Sequence, residues 1–478
     1  METLDLIVLV LYFLGILGVG VYFLRRNVDS EDYFVGGRGM GAGHVGLSVV
    51  ATDVGGGFSI GLGGLGFTMG IAGSWMLATG LIGAWLATVL LIPRVFDIGR
   101  DEKLFTYPQL FGRVYSKRVA LAAAVISALG YAGFTASQLR AGAKLAGSTL
   151  PVFDEQSALW AMGVLAVLYT SIGGMKAVIY TDTFQWALLM IGLIFVGIPI
   201  AVVELGGVRA VLDALPPEYY SFTNVAPVQL VNWAFSIVPI WFVGMTLYQR
   251  IYACGDQRTA KRAWYFAGLL EWPVMAFLGT TLGLLGRIAW QQDYFAEFGF
   301  PASNAIDSEK ALPLLIGSML PVGLTGLMLA AYFSAVLSTA DSCLMAASGN
   351  LSTDIFPGRA GEGGQARGAR SELLRSQGFT LGLGVLALVL ASAMESVLDL
   401  MLYSYGFMVS GLLVPTAAML ASKRPSSRGA LAAILVGGST NVLLTASSWE
   451  LPLGLDPNVF GIAAALLAYG LASRLDDR

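Results

Sequence analysis

One histidine and two cysteines occur in 478 residues, and each scarcity closes off a chemistry. His44 has no second imidazole with which to share a metal, so a His-based metal site is excluded. It lies near the start of an apolar run, where an interfacial role is favoured over proton transfer. Cys254 falls in a loop and Cys343 within an apolar run, which argues against a disulfide or a thiolate metal centre. Charge is scarce too: Asp, Glu, Lys and Arg make up 12% of the chain, too little to clothe a water-soluble surface. With a net charge of −3 and Lys and Arg confined mostly to short loops, no basic face is offered to nucleic acid. Nucleophile elbows, phosphate loops, metalloprotease helices and the paired residues of an intramembrane enzyme are missing, so the chain is not read as an enzyme.

What is abundant is apolar sequence. Hydrophobic residues form 56% of the chain, in runs that repeatedly reach the roughly 20 residues a helix needs to cross a ~30 Å hydrocarbon core. The pattern predicts an all-α polytopic membrane protein with about thirteen transmembrane helices, near 4–25, 43–72, 74–98, 119–147, 157–174, 177–203, 228–248, 263–288, 311–351, 373–394, 396–421, 428–446 and 457–473. The run 311–351 exceeds one crossing and is expected to include a tilted or extramembrane part. The first run is too long for a signal-peptide core, lacks a preceding basic region and has no clear cleavage site, so it is kept as a span.

Basic residues alternate between loops. Arg25, Arg26 and Arg38, then Arg100, Lys103, Arg113, Lys117 and Arg118, then Arg250, Arg258, Lys261 and Arg262, then Arg359 to Arg375, then Lys423, Arg424 and Arg428 mark one side. The positive-inside rule makes that side cytoplasmic, with the N-terminus outside and the C-terminus inside. Arg140 and Lys144 are expected to snorkel outward. The Gly- and Arg-rich stretch from Gly358 to Glu372 reads as a flexible connection.

Ionisable residues at membrane depth carry the functional signal, because burying a charge there costs about 2.5 kcal/mol or more unless something offsets it. Asp53 precedes Gly55-Gly56-Gly57 inside an apolar run, where three glycines weaken continuous helix. Unwound backbone at mid-membrane frees carbonyls to bind a cation; the alternative is a glycine-packed interface with Asp53 satisfied by a hydroxyl. Asp182 falls under two turns into its helix, either reaching a cavity or solvated beside Lys176. Asp341 shares a helical face with Ser338 and Ser342, with Thr339 beside it. Hydroxyls with one carboxylate suit an alkali or alkaline-earth ion, unless the hydroxyls only bond their own helix. Trp233, Trp241, Tyr248, Tyr403 and Tyr405 could line a cavity, although membrane aromatics more often pack. Glu271, beside Trp272 and Pro273, stays unassigned between a proton or substrate group and a bond to a neighbouring helix.

The segments SEDYFVGGRGMG (30–41), SIGGMKAVIYTDTFQ (171–185) and FSAVLSTADSCL (333–344) resemble the solute:sodium symporter family, in order and spacing along nearly the whole chain. The resemblance implies the leucine-transporter fold as a single transmembrane domain. An extra helix at 4–25 would precede inverted five-helix repeats at 43–203 and 228–421, with extra helices at 428–473 closing the chain. It implies a first sodium site at Ala51, Val54, Ala335, Ser338 and Thr339. Members that carry sialic acid imply a second at Asp182, Ser338, Asp341 and Ser342, with Asp341 replacing a hydroxyl. Na+ is therefore the expected coupling ion, one or two per cycle.

For the substrate, resemblance to choline carriers is weakened by Asp53 and Gly244 standing where cage tryptophans would be. Proline carriers have an aspartate at the position of Asp53 and an aromatic near Trp241. The expected function is sodium-coupled import of a small zwitterionic or amine-bearing solute such as proline across a bacterial inner membrane, with Asp53, Gly55, Gly56, Trp241 and Tyr403 at the substrate. Choline-like, sugar or carboxylate symport and a transporter-like sensor are the rivals. The expected partners are the solute, sodium and the lipid bilayer, with a monomer among the open oligomeric states.

Overall fold

The computed structural model describes residues 2–24, 35–53, 55–150, 154–170, 175–356, 365–447 and 449–475. Among these the chain is helical throughout, with one isolated bridge, Met40 to Cys254, in place of any sheet. The principal helices are α1 (Thr3–Leu24), α2 (Ala42–Asp53), α3 (Gly55–Met69), α4 (Trp75–Leu90), α5 (Lys117–Thr149), α6 (Glu155–Thr170), α7 (Met175–Gly192), α8 (Pro227–Val243), α9 (Met245–Ala253), α10 (Gln257–Leu269), α11 (Ala276–Gln291), α12 (Leu324–Gly349), α13 (Gln365–Ala393), α14 (Val397–Ala421), α15 (Ser427–Ala446) and α16 (Pro457–Ser473).

Eight described segments are long and apolar enough to cross a bilayer, and α8 with α9 makes a ninth, bent by 43°. Length and composition thus support eight or nine of the thirteen expected crossings. Phe195 and Val203 are each 72% exposed and Leu443 70%; side chains this apolar are at ease outward only against lipid.

The axis of the bundle is α12. In its span 94% of the most apolar stretch is buried, and it packs against α1, α5, α7 and α13. Asp5, buried on α1, accepts hydrogen bonds from the N–H groups of Gly323 (2.6 Å) and Gly326 (2.9 Å), satisfying the first turn of α12. The long run 311–351 is in fact two pieces, Ala311–Met319 and α12, because Leu320 is extended and Gly323 sits at φ 85°.

Three spans are interrupted. Between α2 and α3, on either side of Val54, the break shows at Gly55, whose φ of 54° is a left-handed geometry that glycine adopts without strain, and at the Gly57 N–H, which is bonded by Gln138. α8 and α9 are separated by Gly244 in extended backbone, where the carbonyl ladder stops. Between α10 and α11 a wide-turn segment, Leu270–Met275, contains non-helical Trp272 (φ −136°, ψ 121°) followed by Pro273, which lacks the N–H a helix would need.

Several sequence expectations change. Lys144 does not snorkel: its side chain is 2% exposed and lies 2.6 Å from both Asp307 and Glu309. Arg140 is likewise held, 2.6 Å from Glu155. Part of the expected flexible stretch is ordered, since Gln365–Glu372 belongs to α13; its earlier residues, and Arg25 and Arg26, lie outside the described set.

Glu309 also accepts the N–H groups of Val397 and Leu398, both at 2.9 Å, which caps α14. Lys144→Met would leave this buried carboxylate without its cation, and stability is expected to fall by about 3–5 kcal/mol. Thermal melting in detergent reads the change, and an unaltered midpoint would refute the role given to the pair.

Candidate functional site

The break between α2 and α3 faces α12. The Thr339 hydroxyl lies 3.0 Å from the carbonyl oxygen of Ala51 and 3.0 Å from that of Ala335. One carbonyl belongs to the end of a broken helix and the other to α12, so oxygens from two elements meet at a single point. A hydroxyl carries one hydrogen and can satisfy only one carbonyl at a time. The remaining oxygen lone pairs form a small hard-donor set of the kind an alkali cation takes. Ala51, Ala335 and Thr339 are therefore brought together. Val54 lies outside the described residues.

Gln138 on α5 closes the other side of the break: its side-chain oxygen accepts the Gly57 N–H at 2.9 Å, satisfying a first-turn donor of α3. Gly55 leaves room for both Thr339 and Gln138, and a Cβ there would come to 3.0 Å of Thr339. Gly56 instead presses onto Val336, which its missing side chain permits, so it serves packing and does not line a cavity.

A second polar centre lies deeper along α2. Asp182 is fully buried; one carboxylate oxygen accepts from Ser48 at 2.6 Å and the other from Ser338. Arg250 reaches the first oxygen at 3.5 Å, with both side chains 0% exposed. Its guanidinium also donates to Ser48 (3.1 Å), the Thr246 carbonyl (3.2 Å), Ser342 (3.3 Å) and Thr52. Five donors in a planar fork match this surround, which a lysine could not. The sequence reading had put Arg250 in a cytoplasmic loop. The structure moves it inside because α9 continues through apolar Ile251, Tyr252 and Ala253, all buried. That apolar tail was the signal in the sequence. Asp182, Ser338 and Ser342 thus converge, and Asp341 is buried on the turn between the latter two.

Asp53 ends α2 at 5% exposure. Tyr405 on α14 donates its hydroxyl to the Asp53 carboxylate at 3.1 Å and packs edge-on to Phe134 at 5.1 Å. Tyr403, two residues earlier, is 44% exposed; helical spacing turns it away from the residue that does reach Asp53, and the substrate role expected of it has no geometric basis. Trp241 is fully buried against Gly83 of α4 and lies 6.5 Å from the ring of Trp264. His44 is exposed, 3.2 Å from the Thr183 hydroxyl.

Interrupted spans, hard-oxygen donors at a break and buried ion pairs define a helical secondary transporter. The chain matches the sodium:solute symporter family over residues 33–437, and it belongs to that family. It is similar to the osmoregulated proline transporter OpuE of Bacillus subtilis (strain 168), 26% identical over 98% of this chain and 94% of that protein. It is also similar to the sodium/proline symporter of Escherichia coli (strain K12), 27% identical over 94% of this chain and 89% of that one. Among solved structures, a Na+-coupled sialic acid symporter in its substrate-bound outward-open state superposes with a TM-score of 0.79 at 21% identity, covering 99% of this chain and 98% of that one. The fold is that of the leucine transporter, and the protein is a multi-pass membrane symporter with sodium as coupling ion, not an enzyme.

Arg250→Met is expected to destabilise the protein by about 3–5 kcal/mol, because the buried Asp182 carboxyl would lose its cation. Adding Asp182→Asn should recover part of that loss, a coupling that a double-mutant cycle of melting temperatures measures. Additive losses would mean the two groups act independently.

Proposed function

We propose that this protein imports a small amine-bearing zwitterion, with proline as the leading candidate, across a bacterial inner membrane, driven by sodium. The single observation that carries the reading is the convergence of Ala51, Ala335 and Thr339 oxygens at the α2/α3 break, one residue pair away from buried Asp53. In this scheme the first sodium is held by Ala51, Val54, Ala335, Ser338 and Thr339. A second is assigned to Asp182, Ser338, Asp341 and Ser342, where Arg250 already supplies one positive charge. Solute docks near Asp53, Gly55 and Trp241, with Tyr405 taking the place first given to Tyr403. The names of two relatives, a proline transporter and a sodium/proline symporter, support the amine class, as does the absence of any paired cation at Asp53 among the described residues.

The halves 43–203 and 228–421 act as inverted repeats, a reading supported by the broken span near the start of each, α2/α3 and α8/α9. The N-terminus is assigned to the outside and the C-terminus to the cytoplasm from the basic loops. Sodium stabilises the outward-open state, solute follows, and closure precedes release inward, because each ligand favours one state over the other. The membrane potential adds to the gradient.

Purified protein should melt at higher temperature in sodium than in potassium, and higher again when proline is added with sodium. Thr339→Ala removes one proposed ligand oxygen, and the sodium concentration for half-maximal uptake into proteoliposomes is expected to rise about tenfold, an affinity change of ~1.4 kcal/mol. Ser338→Ala should weaken sodium binding and also lower stability by about 1–3 kcal/mol, because one buried Asp182 oxygen loses its donor. Equal melting in sodium and potassium with every solute would sink the reading.

A further inference from the structure

Glu271 has no place in the scheme above, and its position asks for one. It is 0% exposed, on the turn just before non-helical Trp272, where the span α10–α11 is interrupted. Its carboxyl fills the space that Gly80 leaves on α4; a Cβ at Gly80 would overlap it. It lies within hydrogen-bonding reach of the Asp53 carboxyl. Two interrupted spans therefore present a carboxyl each to the same point. Both Glu271 oxygens and the second Asp53 oxygen are buried with no donor among the described residues.

Among the described residues the surroundings supply no positive charge to them. Tyr405 donates to one Asp53 oxygen; the Tyr131 hydroxyl, also near Asp53, is engaged with Thr246 at 3.0 Å. Cys343 and Asp341 on α12 bring no positive charge, α4 contributes no ionisable side chain to this face, and the Arg250 guanidinium is committed to Asp182 and its hydroxyls. One helical turn along the same face of α4, Gly83 receives Trp241, whose indole N–H is also buried without a partner. Facing carboxyls repel unless a cation or a proton lies between them. A single proton shared between the two carboxyls can serve only part of these acceptor oxygens, so the spot stays acceptor-rich and is complementary to a ligand rich in N–H donors, whose ammonium would take the proton's place.

We propose that Asp53 and Glu271 form a two-carboxyl clamp that grips the ammonium of the transported solute through two N–H bonds, one to each residue. The clamp deepens the amine reading given above and rests on it. It makes Glu271 a specificity-determining residue. A primary or secondary ammonium has the two N–H groups the clamp needs, a tertiary ammonium has one, and a quaternary ammonium has none. Hydrogen bonds to charged groups are strong enough that each missing N–H should weaken binding about tenfold or more.

The test uses the purified full chain in saturating sodium and two N-methylation series: proline, N-methylproline and N,N-dimethylproline, and glycine, sarcosine, dimethylglycine and glycine betaine. Apparent affinities come from thermal stabilisation, with competition for proteoliposome uptake as a second readout. In the wild type, affinity should hold while two N–H groups remain, fall at least tenfold when one is left, and vanish with none. Glu271→Gln should flatten the step between two and one N–H, while the sodium concentration for half-maximal stabilisation stays where it was. Glu271→Asp, which keeps the charge but shortens its reach, should leave an intermediate step, and ligand-free melting of each variant reports whether it folds. Tight binding of a quaternary member, or no binding by either series, overturns the clamp. A higher sodium requirement in Glu271→Gln with the N–H step intact also overturns it and gives the pair to the coupling ion. Sodium-dependent stabilisation by a sugar or polyol alone defeats the clamp and the amine reading but leaves sodium symport standing; loss of all sodium dependence defeats the symport reading itself.

Discussion

A helix interrupted inside a bilayer exposes carbonyls and N–H groups that no water can reach, and such groups cost several kcal/mol each if left alone. Much of the architecture of this protein answers that constraint. The break after Asp53 is met from three sides: Thr339 of α12 reaches the Ala51 carbonyl, Gln138 of α5 takes the Gly57 N–H, and Tyr405 of α14 approaches Asp53. Those contacts explain why α12 runs through the middle of the bundle. They also explain why small residues recur where spans touch, as at Gly56 against Val336 and Gly83 against Trp241. The break is expensive as structure and useful as chemistry, because oxygens that need a partner can accept an ion.

Charge is handled in two opposite ways. Around Asp182 each carboxylate oxygen has a donor, and the fork of Arg250 spans α2, α7 and α12. A network so fully connected is rigid, and removal of one member leaves the others exposed to the low dielectric. At Asp53 and Glu271 the reverse holds: acceptors outnumber donors, and no positive charge faces them among the described residues. The first centre holds elements together, and the second sodium assigned there would share its oxygens with Arg250, whereas Asp53 and Glu271 offer their acceptors to a solute. The two centres are close along α2: Ser48 and Thr52 meet the Arg250 network, and Asp53 follows at the end of the helix.

Much of this could be read from the sequence, and the limits are instructive. Periodic apolar runs and the glycine triplet after Asp53 announced the spans and the first break, since both are local properties of the chain. That Thr339 lies beside Ala51 followed from the family resemblance of FSAVLSTADSCL, since no spacing along the chain links two residues 288 positions apart. Arg250 was misplaced because a charge near the end of an apolar run looks like a loop residue until the helix beyond it is known to be buried. Tyr403 and Tyr405 differ by two residues, and only the rotation of α14 decides which faces Asp53. Glu271 was noticed without being assigned, because its partner lies 218 positions away on another broken span. Pairings between distant elements, and rotation about a helix axis, are what one-dimensional patterns carry least well.

On the assignments proposed here, coupling between ion and solute needs no long pathway. Sodium would bind the Ala51 carbonyl and tie the end of α2 to α12. Solute would bind Asp53, two residues on, and tie the same break to the α10/α11 interruption through Glu271. Each ligand orders one short piece of unwound backbone, so the one that arrives first has already met part of the ordering cost for the second, which is positive coupling by thermodynamic necessity. The ion pair of Asp182 and Arg250 meanwhile holds the middle and last turn of α2 through Ser48 and Thr52. A helix held up to Thr52 and open to ligands only at its broken end can answer both of them there while the bundle around α12 stays intact.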